Sequence, residues 1–66
     1  MLFSLFPTHL PQDNQKKLRQ ILQHNQVDIQ DEIEGMILVD STEEMIQKIL
    51  NDFPLWTYSK VQELGL

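Results

Sequence analysis

Sixty-six residues make one domain, small enough to remove only about 60% of its unfolded surface from water. Five basic against ten acidic residues give a net charge of −5, and a hydrophobic fraction of 41% belongs to a globular domain, not a disordered tail. There is no cysteine, which excludes a disulfide framework, a thiolate zinc site and a cysteine nucleophile.

Residues 1–6 are almost all apolar and Pro7 blocks their continuation, so they read as a short strand covered on both faces. From Pro11 the period changes. Leu18, Ile21 and Leu22 stand at i, i+3, i+4, with Asp13 early and His24 late, as a helix dipole prefers. This predicts a helix over 11–24, capped by Thr8 or Asp13 and terminated at Asn25. The chain has no alanine, so its helices depend on packing more than on intrinsic propensity. Residues 27–34 alternate: Val27, Ile29 and Ile33 on one face, Asp28, Gln30, Glu32 and Glu34 on the other, the pattern of an edge strand. Gly35 permits a tight turn, and Met36-Ile37-Leu38-Val39 is a second run apolar on both sides. Asp40-Ser41-Thr42-Glu43-Glu44 starts a helix, with capping-box spacing either between Asp40 and Glu43 or between Ser41 and Glu44. Met45, Ile46, Ile49, Leu50 and Phe53 continue its apolar stripe, Pro54 ends it, and residues 55–64 read as a last strand.

The order strand, helix, strand, strand, helix, strand closes most simply as an α+β, ferredoxin-like domain spanning 1–66. Its four-stranded antiparallel sheet has spatial order 4-1-3-2 and both helices on one face. That order puts the two strands without a polar face in the middle and the charged ones at the edges. Two helices cover only one face of such a sheet. Leu2, Phe3, Leu5, Phe6, Met36, Ile37, Leu38 and Val39 cannot all point at them, because successive side chains alternate. One alternating set is left over, each large side chain worth roughly 1.5–3 kcal/mol when buried, and a patch of that kind marks an interface. The pattern predicts a homodimer joined through that face; the alternative is a monomer with an apolar sheet surface.

Residues 35–44, the following helix to Asn51-Asp52, the corner Phe53-Pro54-Leu55-Trp56-Thr57-Tyr58 and the strand to Leu64 resemble the second half of muconolactone isomerase-like and YCII-related proteins. The resemblance covers 35–64 and implies a dimeric α+β barrel, in which two such subunits pack sheet to sheet around small cavities.

Candidate chemistry is sparse. His9, in the loop after the first strand, is either a general base or an exposed loop residue. His24 complements the dipole of helix one. Two histidines without paired spacing and no calcium-type loop predict no metal, and with glycine only at 35 and 65 there is no phosphate-cradling loop, so no cofactor is expected. Asp28, Glu32 and Glu34 form a carboxylate row that either supplies a proton-shuttling base at a barrel mouth or guards an edge; Glu63 carries the same ambiguity. Trp56 and Tyr58, two apart, either stack on a flat ligand or brace the corner after Pro54, with Tyr58 the first choice for a polar contact. The acidic balance disfavours nucleic acid, and Lys16, Lys17 and Arg19 read as a solvated helix face. No apolar run reaches the ~20 residues of a membrane helix. The opening residues lack a basic leader, so a cytoplasmic protein is expected. The residues favour a homodimer that works by binding, either a small apolar ligand between the sheets or a protein partner at the acidic rim. The alternatives are an isomerase or lyase moving a proton on a small cyclic substrate, and an acidic phage or host regulatory protein.

Overall fold

Alternation inside the two apolar runs decides the architecture. The computed structural model describes residues 1–9 and 14–61. In β1 (Leu2–Pro7), Phe3 and Leu5 are fully buried while Leu2, Ser4 and Phe6 turn the other way. In β3 (Met36–Asp40), Ile37 and Val39 are fully buried and Met36 and Leu38 are not. The two strands pair antiparallel with Phe3 opposite Val39 and Leu5 opposite Ile37, so the four buried side chains share one face. They form a single core with Leu18 and Leu22 of α1 (Gln15–His24) and Ile46, Ile49 and Leu50 of α2 (Glu43–Leu50). Both helices therefore cover the same face. With β2 (Asp28–Ile33) and β4 (Trp56–Lys60) outside, the antiparallel sheet runs β2-β3-β1-β4, the expected ferredoxin-like order.

The helix ends refine the sequence reading. Asn14 is the residue before α1 and makes no side-chain cap, so Thr8 is not the cap; Asp13 lies outside the described residues. At the other end Asn25 closes the helix, its side chain donating to the Ile21 carbonyl at 2.8 Å. The left-handed position falls one residue later, on Gln26 at φ +61°. The Gln26 and Val27 amides donate back to the carbonyls of Gln23 and Leu22, which completes a Schellman motif and drops Val27 into the core. Neither proposed capping box forms at α2: Thr42, between them, caps the helix by accepting from the Met45 amide at 3.2 Å. The helix stops at Leu50, and two further turn bonds, Asp52 to Ile49 and Phe53 to Leu50, carry Phe53 into the core before Pro54.

Two strand expectations change. Pro7 is the last residue of β1 instead of its stop; it sits opposite Trp56 in a pair that exchanges no backbone bonds, so its missing N–H costs nothing there. The alternation of β2 is broken by a β-bulge: Ile29 pairs with Val39 but Asp31 already pairs with Leu38, leaving Gln30 as an extra residue. Beyond the bulge every side chain changes face. Glu32 moves to the helix side and Ile33 to the opposite side, so Asp28, Glu32 and Glu34 do not form one row. The last strand is described to Lys60, and Glu63 lies outside the described residues.

Candidate interface on the open sheet face

The strand registers assemble the face that the helices leave bare. Leu2, Ser4 and Phe6 of β1 lie beside Asp40, Leu38 and Met36 of β3; β4 adds Thr57 opposite Phe6 and Ser59 opposite Ser4. On the far side β2 contributes Asp28, Asp31 and, through the bulge, Ile33 opposite Met36. The middle is apolar and the two flanks differ. Toward β4 it is lined by hydroxyls; toward β2 and the upper end of β3 it is lined by carboxylates. Phe6 is 36% exposed and Ile33 56%. The Asp40 carboxylate holds the Met1 amino group at 2.8 Å, and Gln30 donates to Asp28 across the bulge. Of the eight residues from which an interface set was expected, Leu2, Phe6, Met36 and Leu38 face this side, and Phe3, Leu5, Ile37 and Val39 are core.

Of the residues considered for proton chemistry, His9 and Tyr58 are brought neither to each other nor to Glu32 and Glu34. His9 is exposed beyond β1, its Nδ1 3.1 Å from the Thr8 hydroxyl, which itself donates to the Leu55 carbonyl. Glu32 faces α1, where it accepts from Gln15 at 2.9 Å and pairs with Arg19 at 3.4 Å; Glu34 is exposed in the turn before Gly35. Tyr58 lies on the helix side of β4. Its ring meets Phe3 edge-on, with centroids 5.7 Å apart, and its hydroxyl donates to Glu43 and accepts from Gln47, both at 3.0 Å. Trp56 is on the same side and buried, with its indole N–H taking no partner among the described residues. Trp56 thus belongs to the core and Tyr58 packs against it. His24 is exposed in the last turn of α1. Among the described residues no helix is long and apolar enough to cross a membrane.

One residue with a large structural role carries no sequence signal. The Gln15 amide accepts from the Gly35 N–H at 2.9 Å and donates to the Ile33 carbonyl at 2.7 Å as well as to Glu32, tying the start of α1 to the β2–β3 turn. The adjoining surface, lined by Lys16, Arg19, Glu32 and Glu34, is an open depression, not an enclosed pocket. No family model matches the chain, and neither the curated proteins nor the solved structures include one that matches it.

Proposed function

We propose that this chain acts by binding, as a homodimer in which two copies lay their open sheet faces together, with a small apolar ligand held between the sheets or a basic protein partner held at the carboxylate flank. The observation that carries the reading is the row Leu2, Phe6, Met36 and Leu38 on the side away from both helices, widened by Ile33. Water on such a surface is costly, at roughly 25 cal/mol per Å2 of apolar area. A domain of this size has little stability to spare against that cost. Two sheets packed about 10 Å apart leave room for side chains from both inner faces. The hydroxyls of Ser4, Thr57 and Ser59 then supply the few polar handles that a mostly apolar cavity uses to orient a ligand. The arrangement is the dimeric α+β barrel that the resemblance of residues 35–64 implies. Binding is favoured over proton transfer because, among the described residues, His9 and Tyr58 lie apart from each other and from Glu32 and Glu34.

Sedimentation equilibrium tests the reading. Leu38→Asp puts a charge at the centre of the face without touching the core, and it should halve the sedimenting mass while the far-ultraviolet circular dichroism stays that of the folded chain. A substitution at Phe3, fully buried in the core, would test folding instead of the contact. A wild-type monomer, or a mass indifferent to Leu38→Asp, would overturn the proposal.

A further inference from the structure

The two edges of the sheet are not equivalent. β2 is protected in the ways that edge strands usually are: a bulge, and the charges of Asp28, Asp31 and Glu32 along it, with Glu34 in the turn just beyond. β4 pairs with β1 over five residues in unbroken register, and its one charge is Lys60. The direction of its backbone groups follows from two bonds, Thr8 N–H to the Leu55 carbonyl at 2.7 Å and Val61 N–H to the Leu2 carbonyl at 2.9 Å. Bonded residues alternate along an antiparallel ladder. The residues of β4 bonded to β1 are therefore the odd-numbered ones, and Trp56, Tyr58 and Lys60 turn their amides and carbonyls outward. The Trp56 amide is taken by the Phe53 carbonyl at 2.9 Å. The amides and carbonyls of Tyr58 and Lys60 and the carbonyl of Trp56 meet nothing among the described residues.

We propose that this edge is a second self-association site, where β4 of another copy adds antiparallel with Tyr58 of one chain directly opposite Tyr58 of the other. The segment is self-complementary in that register. The two Tyr58 residues exchange two backbone bonds, and each Lys60 amide donates to the Trp56 carbonyl of the other copy, for four bonds in all. Thr57 meets Ser59 on the open side of the sheet, a favourable cross-strand hydroxyl pair. On the helix side Lys60 lies across from Trp56 and away from the other Lys60. It is thereby set beside the turn following α2, where the negative end of the helix dipole and Asp52 complement an ammonium group. The same operation at β2, centred on Asp31, would bring Asp31 against its own counterpart and Asp28 against Glu34 of the other copy. The joined sheets keep their open faces on one side, so the edge contact leaves the face free and is independent of whether a second layer covers it.

Lys60→Pro is the selective probe. Its amide points away from β1, so proline there removes an outward donor and leaves the ladder to β1 intact, a placement that an edge strand tolerates. In the Leu38→Asp background, where the open face is disabled, the chain should still sediment as a dimer at high micromolar concentration. Adding Lys60→Pro should reduce it to a monomer, and adding Lys60→Ala should not. A Leu38→Asp chain that is already monomeric, or a double variant that remains dimeric, would overturn the proposal. Amide exchange in the wild-type chain gives a reading that needs no substitution: protection of the Tyr58 and Lys60 amides should rise with protein concentration, and fast exchange at every concentration counts against the edge contact. Failure of the face reading looks different, since Leu38→Asp would then change nothing and Lys60→Pro alone would halve the mass.

Discussion

Gln26 closes helix α1 in a conformation that suits another residue. Its φ of +61° lies in the left-handed region, which costs a residue with a Cβ about 1–2 kcal/mol, and this end of a Schellman motif is ordinarily glycine or asparagine. The bonds from Gln26 and Val27 back into the helix hold it there. Gln26→Gly should raise the denaturation midpoint, with a gain of about 0.5–1 kcal/mol after allowing for the greater freedom of glycine in the unfolded chain; an unchanged or lower midpoint would show that the side chain contributes something besides its backbone angle. Gln15 works in the opposite direction. Truncating Gln15→Ala leaves the Gly35 amide without its acceptor and frees α1 from the β2–β3 turn, at a cost of about 1–3 kcal/mol. The Gly35 amide should lose exchange protection more than the core strands do, and uniform loss across the sheet would argue against a local role. Nothing in the sequence distinguishes Gln15 from the other glutamines, because an amide that satisfies three backbone and side-chain groups is defined by where the chain returns and not by its neighbours.

At the scale of elements, the strand order was legible because composition tracks burial: inner strands covered on one side by helices are the runs without a polar face, and the edges carry charge. The bulge in β2 leaves only a trace in the sequence. Strict alternation from Val27 places charged Asp31 in line with Val27, Ile29 and Ile33, a misfit that the extra residue at Gln30 resolves by sending Asp31 to the open face. The helix bounds differ more: α1 begins at Gln15, four residues after the expected start, and α2 ends at Leu50, three residues before Phe53, while at its start Thr42, next to both expected capping-box residues, is the one that bonds. Removing Gln30 keeps Asp31 opposite Leu38 and Ile33 opposite Met36 while making the ladder regular. The shortened chain should fold, and with its better-guarded edge straightened it should scatter more light on concentration than the wild type. An unfolded product would mean that the extra residue is required for the twist of β2.

For the whole molecule, the net charge of −5 separates the partners that the open face and the edges could take. Two copies of an acidic chain repel as they approach, and the repulsion acts over a Debye length that shrinks from about 30 Å at 0.01 M salt to about 8 Å at 0.15 M. The apolar burial that joins them is scarcely weakened by such salt. Self-association through the face of Leu2, Phe6, Met36 and Leu38 should therefore tighten as salt rises through this range. A basic protein held at Asp28, Asp31 and Asp40 depends on attraction over the same distance and should instead bind more weakly, chiefly through a slower association rate. Sedimentation of the chain alone at the two salt concentrations decides the first case. Self-association that weakens with salt would mean that the acidic flanks meet cations across the contact. Within one copy the candidates are Lys16, Lys17, Arg19, Lys48 and Lys60, and the first three lie on α1, on the far side of the sheet from the open face. Contact through those cations would take the helix side of one copy against the open side of the next, a head-to-tail arrangement that does not close on itself and whose mass would grow with concentration instead of stopping at a fixed number of chains.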